Sequence, residues 1–186
     1  MTKQCLILVV GHNASGKTML SNKIIKHFNI NRVNGDDIRD FLISKIHYYS
    51  DMHYSYPNPK IRSANKVVII FRKELILELL SQGESVLVDG GGITKESRKK
   101  YMELKKISSQ KIITVIIELD VEEKILLQRL KHRDKSNKNH RWIDLYNDIR
   151  KDKYEEVTND EADHVLKFNQ DNPDAILERM RDIVNK

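Results

Sequence analysis

The sequence contains one cysteine, three prolines and seven glycines in 186 residues. With a single thiol, Cys5, no intrachain disulfide can form, and the apolar neighbours of Cys5 predict a buried thiol on a strand. So little proline and glycine excludes a collagen-like chain and a low-complexity chain. We therefore expect a protein that folds around an apolar core without covalent cross-links.

Long hydrophobic runs are also missing. The longest uninterrupted apolar run, Cys5 to Val10, is far shorter than the about 20 residues that span a bilayer. No segment has the pattern of a signal peptide, with an apolar stretch before a cleavage site. These absences predict a cytoplasmic protein without a membrane partner.

The length and charge of the chain narrow the possibilities further. A chain of 186 residues fits one ordinary domain, so we expect a single domain over residues 1–186. The formal net charge is +6, from 33 Lys and Arg against 27 Asp and Glu. This excess favours anionic partners such as nucleotides, nucleic acids and phosphorylated metabolites, but it does not choose among them.

Apolar runs and helical periodicity alternate along the chain. This alternation predicts a three-layer α/β/α fold with a five-stranded parallel sheet. The predicted strands are Gln4–Val10, Arg32–Asn34, Ser85–Asp89, Lys111–Leu119 and His164–Phe168. The predicted helices are Lys17–Phe28, Asp37–Ser44, Ala64–Gln82, Lys95–Ile107, Val121–Lys131, Ile143–Val157 and a last helix that Asn172 caps and Pro173 begins.

The clearest motif directly follows the first predicted strand and opens the first predicted helix. It has the form G-x-x-x-x-G-K-T, which in this context is typical of a P-loop. Its backbone N–H groups would surround nucleotide phosphates, Lys17 would reach the β- and γ-phosphates, and the Thr18 hydroxyl would ligate Mg²⁺. The predicted nucleotide-binding residues are Gly11, His12, Asn13, Ala14, Ser15, Gly16, Lys17 and Thr18.

Two acidic positions follow the ends of later predicted strands, at the sheet edge where ligands bind in open α/β folds. Asp36 can accept a proton from an attacking hydroxyl, and Arg39, one helical turn on, can bind a substrate anion. Alternatively, Asp36 or Asp37 caps the following helix. Asp89, ahead of three glycines, suits a Walker B role near magnesium or a hydrogen bond to substrate.

A second basic pair lies near the end of a predicted helix. Arg129 and Arg133 are four residues apart, so they share one helical face and can converge on a transferring phosphoryl group. The basic run that follows predicts a mobile lid at about residues 129–142. The tyrosine-rich stretch from His47 to Pro59 is the other segment without a clear helix or strand pattern.

Several of these motifs together resemble one group of enzymes. The P-loop, the Asp36-Asp37-Ile38-Arg39 element, Asp89 and the pair of lid arginines are similar to the kinase domain of phage polynucleotide kinase and to related adenylate-kinase-like P-loop kinases, including the zeta toxins. The resemblance implies that Asp36 is the general base, that Arg39 binds the acceptor's phosphate and Asp89 helps to bind the acceptor, and that Arg129 and Arg133 contact the ATP phosphates.

The resemblance predicts an ATP- and Mg²⁺-dependent phosphotransferase with a hydroxyl acceptor. A 5′-hydroxyl nucleic-acid end is the favoured acceptor, because Tyr48, Tyr49, Tyr54 and Tyr56 could stack on bases. The alternatives are a small-molecule kinase acting on a nucleoside, sugar, antibiotic or nucleotide-sugar, and a P-loop ATPase. The glycines after Asp89 and the tyrosine-rich stretch depart from the family pattern, so the acceptor, the choice between ATP and GTP, and the oligomeric state stay open.

Overall fold

The chain is described by a computed structural model for residues 3–50, 59–107, 111–136, 142–147, 151–168 and 173–185. These residues contain five strands and seven α-helices. The strands are β1 (Cys5–Gly11), β2 (Asn31–Asn34), β3 (Val86–Asp89), β4 (Ile113–Leu119) and β5 (His164–Phe168). The helices are α1 (Lys17–Phe28), α2 (Gly35–Lys45), α3 (Pro59–Ser81), α4 (Lys95–Met102), α5 (Glu123–Ser136), α6 (Trp142–Leu145) and α7 (Pro173–Asn185).

The five strands form one parallel sheet in the order β2-β3-β1-β4-β5. Every residue of β1, β3 and β4 is buried, as expected for strands that are covered on both faces. Because all the strands are parallel, their carboxyl ends lie at one edge of the sheet. The P-loop after β1, the start of α2 after β2 and the glycines after β3 therefore share this edge.

Two apolar cores lie on opposite faces of the sheet. On one face, Leu20 and Ile24 of α1 pack with Ile176 and Met180 of α7 against the sheet. On the other face, the core includes Ile76 and Leu80 of α3 together with Met102 of α4. The predicted three-layer α/β/α fold is thus confirmed.

Several helix predictions were wrong in extent: α3 begins at Pro59 rather than Ala64, and α4 ends at Met102 rather than Ile107. The predicted helix Ile143–Val157 begins as α6, but residues 151–157 are not helical. Tertiary contacts hold this segment, because the Tyr154 hydroxyl and the Val157 N–H both donate to the buried carboxylate of Glu118. In the opposite sense, α5 continues past Lys131 to Ser136 and takes in the start of the basic run.

Arg98 fixes the loop that follows β3. Its side chain is 0% exposed and makes a two-point ion pair with Glu161, at 2.5 Å from Nε and 2.9 Å from Nη2. Nη1 also donates to the carbonyl oxygens of Gly92 and Glu155, at 3.1 and 2.7 Å. These bonds hold the glycine loop in place at the carboxyl edge of the sheet. The charged Arg98 side chain can be buried there because its donors are paired with acceptors.

Two further predictions concern the thiol and membranes. Cys5 is buried on β1 as predicted, and burial raises the pKa of its thiol to about 11. In the part of the chain that the structure describes, no helix is long and apolar enough to cross a membrane.

Candidate active site

The P-loop motif forms the expected turn between β1 and α1. Gly11 and Gly16 have φ angles of 143° and 99°, and Ala14 is also in the left-handed region at 63°. A Cβ atom on Gly11 would lie 2.9 Å from the Leu119 carbonyl oxygen, so β4 packs too closely for any larger residue. The loop therefore needs glycine at Gly11 for both conformation and space.

The N-terminus of α1 has the features of a phosphate-binding site. Gly16 is its N-cap and supplies no side-chain hydrogen bond, and the first turn contains no acidic residue. The N–H groups of a 12-residue helix therefore point toward the loop without a side-chain acceptor or a carboxylate. Nucleotide phosphates fit this arrangement, because they supply both the oxygen acceptors and the negative charge.

Lys17 and Thr18 lie at the start of this helix. The Lys17 Nζ donates to the carbonyl oxygens of Gly11 and His12, at 2.9 and 2.7 Å, so the ammonium group lies over the loop. The Thr18 side chain is exposed. Their contacts with a bound nucleotide stay a prediction.

Neither acidic residue at the start of α2 caps that helix. The Asn34 Oδ1 is the cap, accepting hydrogen bonds from the Asp36 and Asp37 N–H groups at 2.6 and 3.4 Å. The alternative that Asp36 or Asp37 is the cap was therefore wrong. The Asp36 side chain is 73% exposed and pairs with Arg39, one turn on, while the predicted roles of both residues stay predictions.

Asp89 has a different environment from Asp36. Its carboxylate is 2% exposed, and Oδ2 accepts hydrogen bonds from Arg32 Nε and Nη2 at 3.0 and 2.8 Å and from Asn34 Nδ2 at 3.0 Å. Arg32 Nη1 in turn donates to Asp37 at 2.7 Å. Asp89 therefore joins the ends of β2 and β3, while its predicted contact with acceptor stays a prediction.

The two arginines of the predicted lid have different contacts. Arg129 Nη1 donates to the Ala14 carbonyl oxygen at 3.1 Å, so α5 reaches the P-loop. Arg133, one turn further along α5, lies with its Cζ 6.0 Å from the centre of the Trp142 ring. The helical part of the predicted lid therefore lies beside the P-loop, and residues 137–141 of the predicted lid lie outside the described residues.

The tyrosine-rich stretch is described only at its start. Tyr49 is buried and its hydroxyl lies 3.1 Å from Ser63 Oγ, so this ring packs inward. Tyr48 is 58% exposed, and the Lys60 ammonium lies 5.1 Å from its ring centre. The predicted stacking residues Tyr54 and Tyr56 lie outside the described residues.

One feature near the P-loop was not predicted from the sequence. The His12 ring lies 4.4 Å from the ring of Tyr154 and 5.3 Å from that of Tyr146, measured between ring centres. These rings border a cavity of about 300 Å³ beneath α5, at the ends of β4 and β5. Burial and a hydrogen bond to Glu118 raise the pKa of the Tyr154 phenol. Only tertiary contacts assemble this cavity, and no sequence motif indicates it.

The sequence also gave no reason to single out Arg72, which lies on α3. Its guanidinium group reaches the carboxyl edge of the sheet, where Nη1 and Nη2 approach Gly35 and Gly91. In sequence, an arginine within a long helical pattern is ordinarily a solvated residue. Its position became apparent only from the packing of α3 against the ends of β2 and β3.

No carboxylate cage for a metal is present in the described ranges. In residues 3–50, 59–107, 111–136, 142–147, 151–168 and 173–185, no group of three or more His, Cys, Asp or Glu side chains could hold a metal ion. This is compatible with Mg²⁺ at a P-loop, where phosphate oxygens, water and a hydroxyl supply the ligands.

A family model described as an AAA domain, AAA_33, matches residues 6–145. The chain belongs to this family. The AAA_33 match begins in β1 and ends in α6, so it includes the P-loop, the start of α2, Asp89 and both lid arginines. No curated protein sequence matches the chain.

Several solved structures share the fold of this chain. A protein of Chloroflexus aurantiacus j-10-fl described as a kinase is 17% identical, with a TM-score of 0.76 over 98% of this chain and 96% of that chain. Kti12 of Chaetomium thermophilum, solved with ADP-AlF3, is 13% identical, with a TM-score of 0.71 over 96% and 98%. The Mycobacterium tuberculosis APS kinase CysC, solved with AMPPNP and APS, is 17% identical, with a TM-score of 0.57 over 100% of both chains.

At these identities the structural similarity establishes the fold alone. Together with the AAA_33 match, it establishes a P-loop domain with the α/β fold that these proteins share. The reaction and the acceptor have to be argued from the site itself.

Proposed function

We propose that this protein transfers the γ-phosphoryl group of ATP, with Mg²⁺, to a hydroxyl group of an acceptor. The observation that carries the proposal is the position of Asp36 relative to the P-loop. Asp36 follows β2 and the P-loop follows β1, with β3 between them. Neighbouring strands are about 4.8 Å apart, so the two ends are separated by roughly 10 Å. This space suits a γ-phosphate and an attacking hydroxyl side by side.

The nucleotide side of the site would be formed by the P-loop. Its N–H groups and the uncapped start of α1 would hold the phosphates, and Lys17 would exchange its loop carbonyl acceptors for β- and γ-phosphate oxygens. Thr18 would hold Mg²⁺, which neutralises charge on these oxygens when bound. Arg129, already at the loop, and Arg133 would approach the transferring group from α5.

The acceptor side would be formed by the first turn of α2. Because Asn34 caps this helix, the Asp36 carboxylate has no capping role and can accept the proton of the attacking hydroxyl. Arg39 is held by Asp36 and by Asn65 Oδ1, at 3.0 Å from Nη2, so its guanidinium lies beside the proposed base. It would bind an anionic group of the acceptor.

Two classes of acceptor fit this site. A 5′-hydroxyl nucleic-acid end is supported by the net charge of +6 and by the exposed Tyr48 ring beside Lys60. A small-molecule acceptor is supported by Tyr49, which packs inward and leaves less aromatic surface for bases. The acceptor of CysC, whose structure contains APS, is a small molecule, and this chain shares its fold.

An acceptor panel with γ-labelled ATP tests the proposal directly. The panel contains a 5′-hydroxyl oligonucleotide, nucleosides and amino sugars, and each product is separated from free phosphate. Label that stays in one product supports a kinase and identifies the acceptor class. Label that appears only as free phosphate with every acceptor would show a P-loop ATPase and overturn the proposal.

Substitution of Arg133 tests the lid. Arg133→Ala should lower turnover roughly tenfold or more while leaving ATP affinity nearly unchanged, because a lid arginine acts mainly as charge develops in the transition state. Turnover is measured by label transfer and ATP affinity by calorimetry. Lys131→Ala removes an exposed positive charge from the same helix and should leave both nearly unchanged. Normal turnover of Arg133→Ala would exclude Arg133 from the site.

A further inference from the structure

Arg72 occupies an unusual position for a charged residue. A Cβ atom on Gly35 would lie 3.0 Å from Arg72 Nη1, and one on Gly91 would lie 2.9 Å from Nη2. The guanidinium therefore lies between the start of α2 and the loop after β3, against two residues without side chains. Its Cζ is 4.9 Å from the centre of the Tyr101 ring, which supports one face of the group.

This guanidinium is partly desolvated without a directly paired carboxylate. Among the residues that the structure describes, Arg72 makes no hydrogen bond and no ion pair. Its guanidinium instead makes a cation–π contact with the Tyr101 ring. Burial lowers the pKa of Arg72, the charge of Asp36 raises it, and the charge of Arg39 lowers it again. A partly desolvated positive charge is costly unless a partner compensates it, so an anion bound here would be stabilised.

Arg39 adds a second positive charge to the same place. Arg39 contacts Asn65, which precedes Arg72 by two turns of α3 and so lies on the same face of that helix. Like charges at close range repel each other, and an anion bound between them relieves this repulsion. Asp36 offsets part of the charge but already pairs with Arg39.

We propose that Arg72 is a further acceptor-binding residue, which holds the acceptor's phosphate group together with Arg39. A planar guanidinium matches two phosphate oxygens, and the Tyr101 ring fixes the plane of Arg72. Because Arg39 is one turn from Asp36, the bound phosphate lies close to the hydroxyl that Asp36 activates. This inference rests on the proposed function: the acceptor carries a phosphate near its reacting hydroxyl.

The proposal also explains one of the three glycines after Asp89, Gly91. A side chain at Gly91 would meet Arg72 Nη2 at 2.9 Å and the Tyr101 hydroxyl at 3.2 Å. Its φ angle of +91° is likewise one that side chains rarely adopt. Glycine at Gly91 therefore gives the Arg72 guanidinium access to the acceptor side of the sheet edge.

The first test uses inorganic phosphate as the probe and needs no phosphoryl transfer. The protein is first saturated with Mg²⁺ and a hydrolysis-resistant ATP analogue, so that the P-loop is filled. Inorganic phosphate is then added, and the Nε–Hε signals of the arginines are followed by NMR. The Arg72 signal is identified by its loss in Arg72→Gln. We expect phosphate to shift this signal in the wild type and in the matched control Lys73→Gln, an exposed neighbour on α3. An unmoved Arg72 signal would overturn the proposal.

The second test distinguishes two kinds of phosphate group on the acceptor, a phosphomonoester and a nucleic-acid phosphodiester. Calorimetry compares a nucleoside 3′-monophosphate, a 5′-hydroxyl dinucleotide and the nucleoside that lacks phosphate. Arg72→Gln should weaken binding of a phosphate-bearing probe roughly tenfold and leave the nucleoside unaffected, because it removes one charged pair of hydrogen bonds. Preference for the monophosphate indicates a phosphomonoester, and preference for the dinucleotide indicates a nucleic-acid diester.

Failures of the two proposals are distinguishable. If no acceptor gains label but phosphate shifts the Arg72 signal, the anion site stands and the kinase proposal fails. If label transfer occurs but Arg72→Gln keeps wild-type affinity for both phosphate-bearing probes, the anion site is wrong and the kinase proposal stands. In both cases Arg72→Gln must unfold at the same temperature as the wild type, which shows that the variant is folded. If Arg72→Gln does not fold, Arg72→Lys is used in its place.

Discussion

Replacing Lys17 with alanine should reduce phosphoryl transfer by roughly 10³-fold, while the protein stays folded. The large effect is expected because Lys17 would neutralise charge on the β- and γ-phosphates as the transferring group separates. The fold should survive, because Lys17 Nζ donates to the loop carbonyls of Gly11 and His12 and Lys17 does not belong to either apolar core of the sheet. Label transfer at saturating ATP measures the activity, and thermal unfolding measures the stability.

Lys26→Ala is the matched control for this experiment. Lys26 is an exposed lysine in the last turn of the same helix, so its loss changes the net charge equally but far from the phosphates. Its activity should match the wild type. Chelation of Mg²⁺ should cause a loss similar to that of Lys17→Ala, because the metal shares the same phosphate oxygens. If Lys17→Ala keeps a substantial part of the activity, the P-loop assignment is wrong.

The sheet could be predicted because each of its central strands is recognisable in the sequence from its own run of apolar residues. β1 is an almost continuous apolar run and β4 is interrupted only by Thr114 and Glu118, and their observed bounds differ from the predicted ones by one or two residues. The P-loop lies between such a run and a periodic helix, so its place at the carboxyl edge followed from the parallel topology. Local sequence is sufficient here, because burial on both faces leaves little choice of conformation.

Local sequence was insufficient where a distant residue decides the conformation. The stretch up to Val157 has helical periodicity, but Glu118 on β4 accepts hydrogen bonds from Tyr154 and Val157 and holds the segment out of a helix. At the start of α2, Asn34 took the capping role, because its Oδ1 lies directly before the first helical N–H groups. Local propensity predicted whether a segment forms a helix or a strand, and tertiary contacts determined where that helix or strand ends.

The acceptor side shows the same distinction between local and distant signals. Asp36 and Arg39 were predictable because they are one helical turn apart, and the structure pairs them. Arg72 was not predictable, since its position depends on Gly35 and Gly91, which are 37 and 19 residues away in sequence. A proposed site made by three separate segments can be recognised only after the fold has brought them together.

Changing Asp36 to asparagine should lower phosphoryl transfer by roughly 10² or more, as expected for the loss of a general base. Asparagine has nearly the same size, but it cannot take the proton of the attacking hydroxyl. Affinity for ATP should change little, because the P-loop and Thr18 are untouched. The rate is measured by label transfer to the acceptor that the panel identifies, and the ATP dissociation constant is measured by calorimetry.

Asp37→Asn is the closest control that the chain offers. Both aspartates lie in the first turn of α2 and neither caps it, so their loss removes similar favourable interactions with the helix dipole. They differ in partner, since Asp37 pairs with Arg32 while Asp36 pairs with Arg39 on the proposed acceptor side. We therefore expect a much milder loss for Asp37→Asn. Equal, mild losses would mean that the base lies elsewhere, and a severe loss at Asp37 alone would move the base by one residue, beside Arg32 and Asp89.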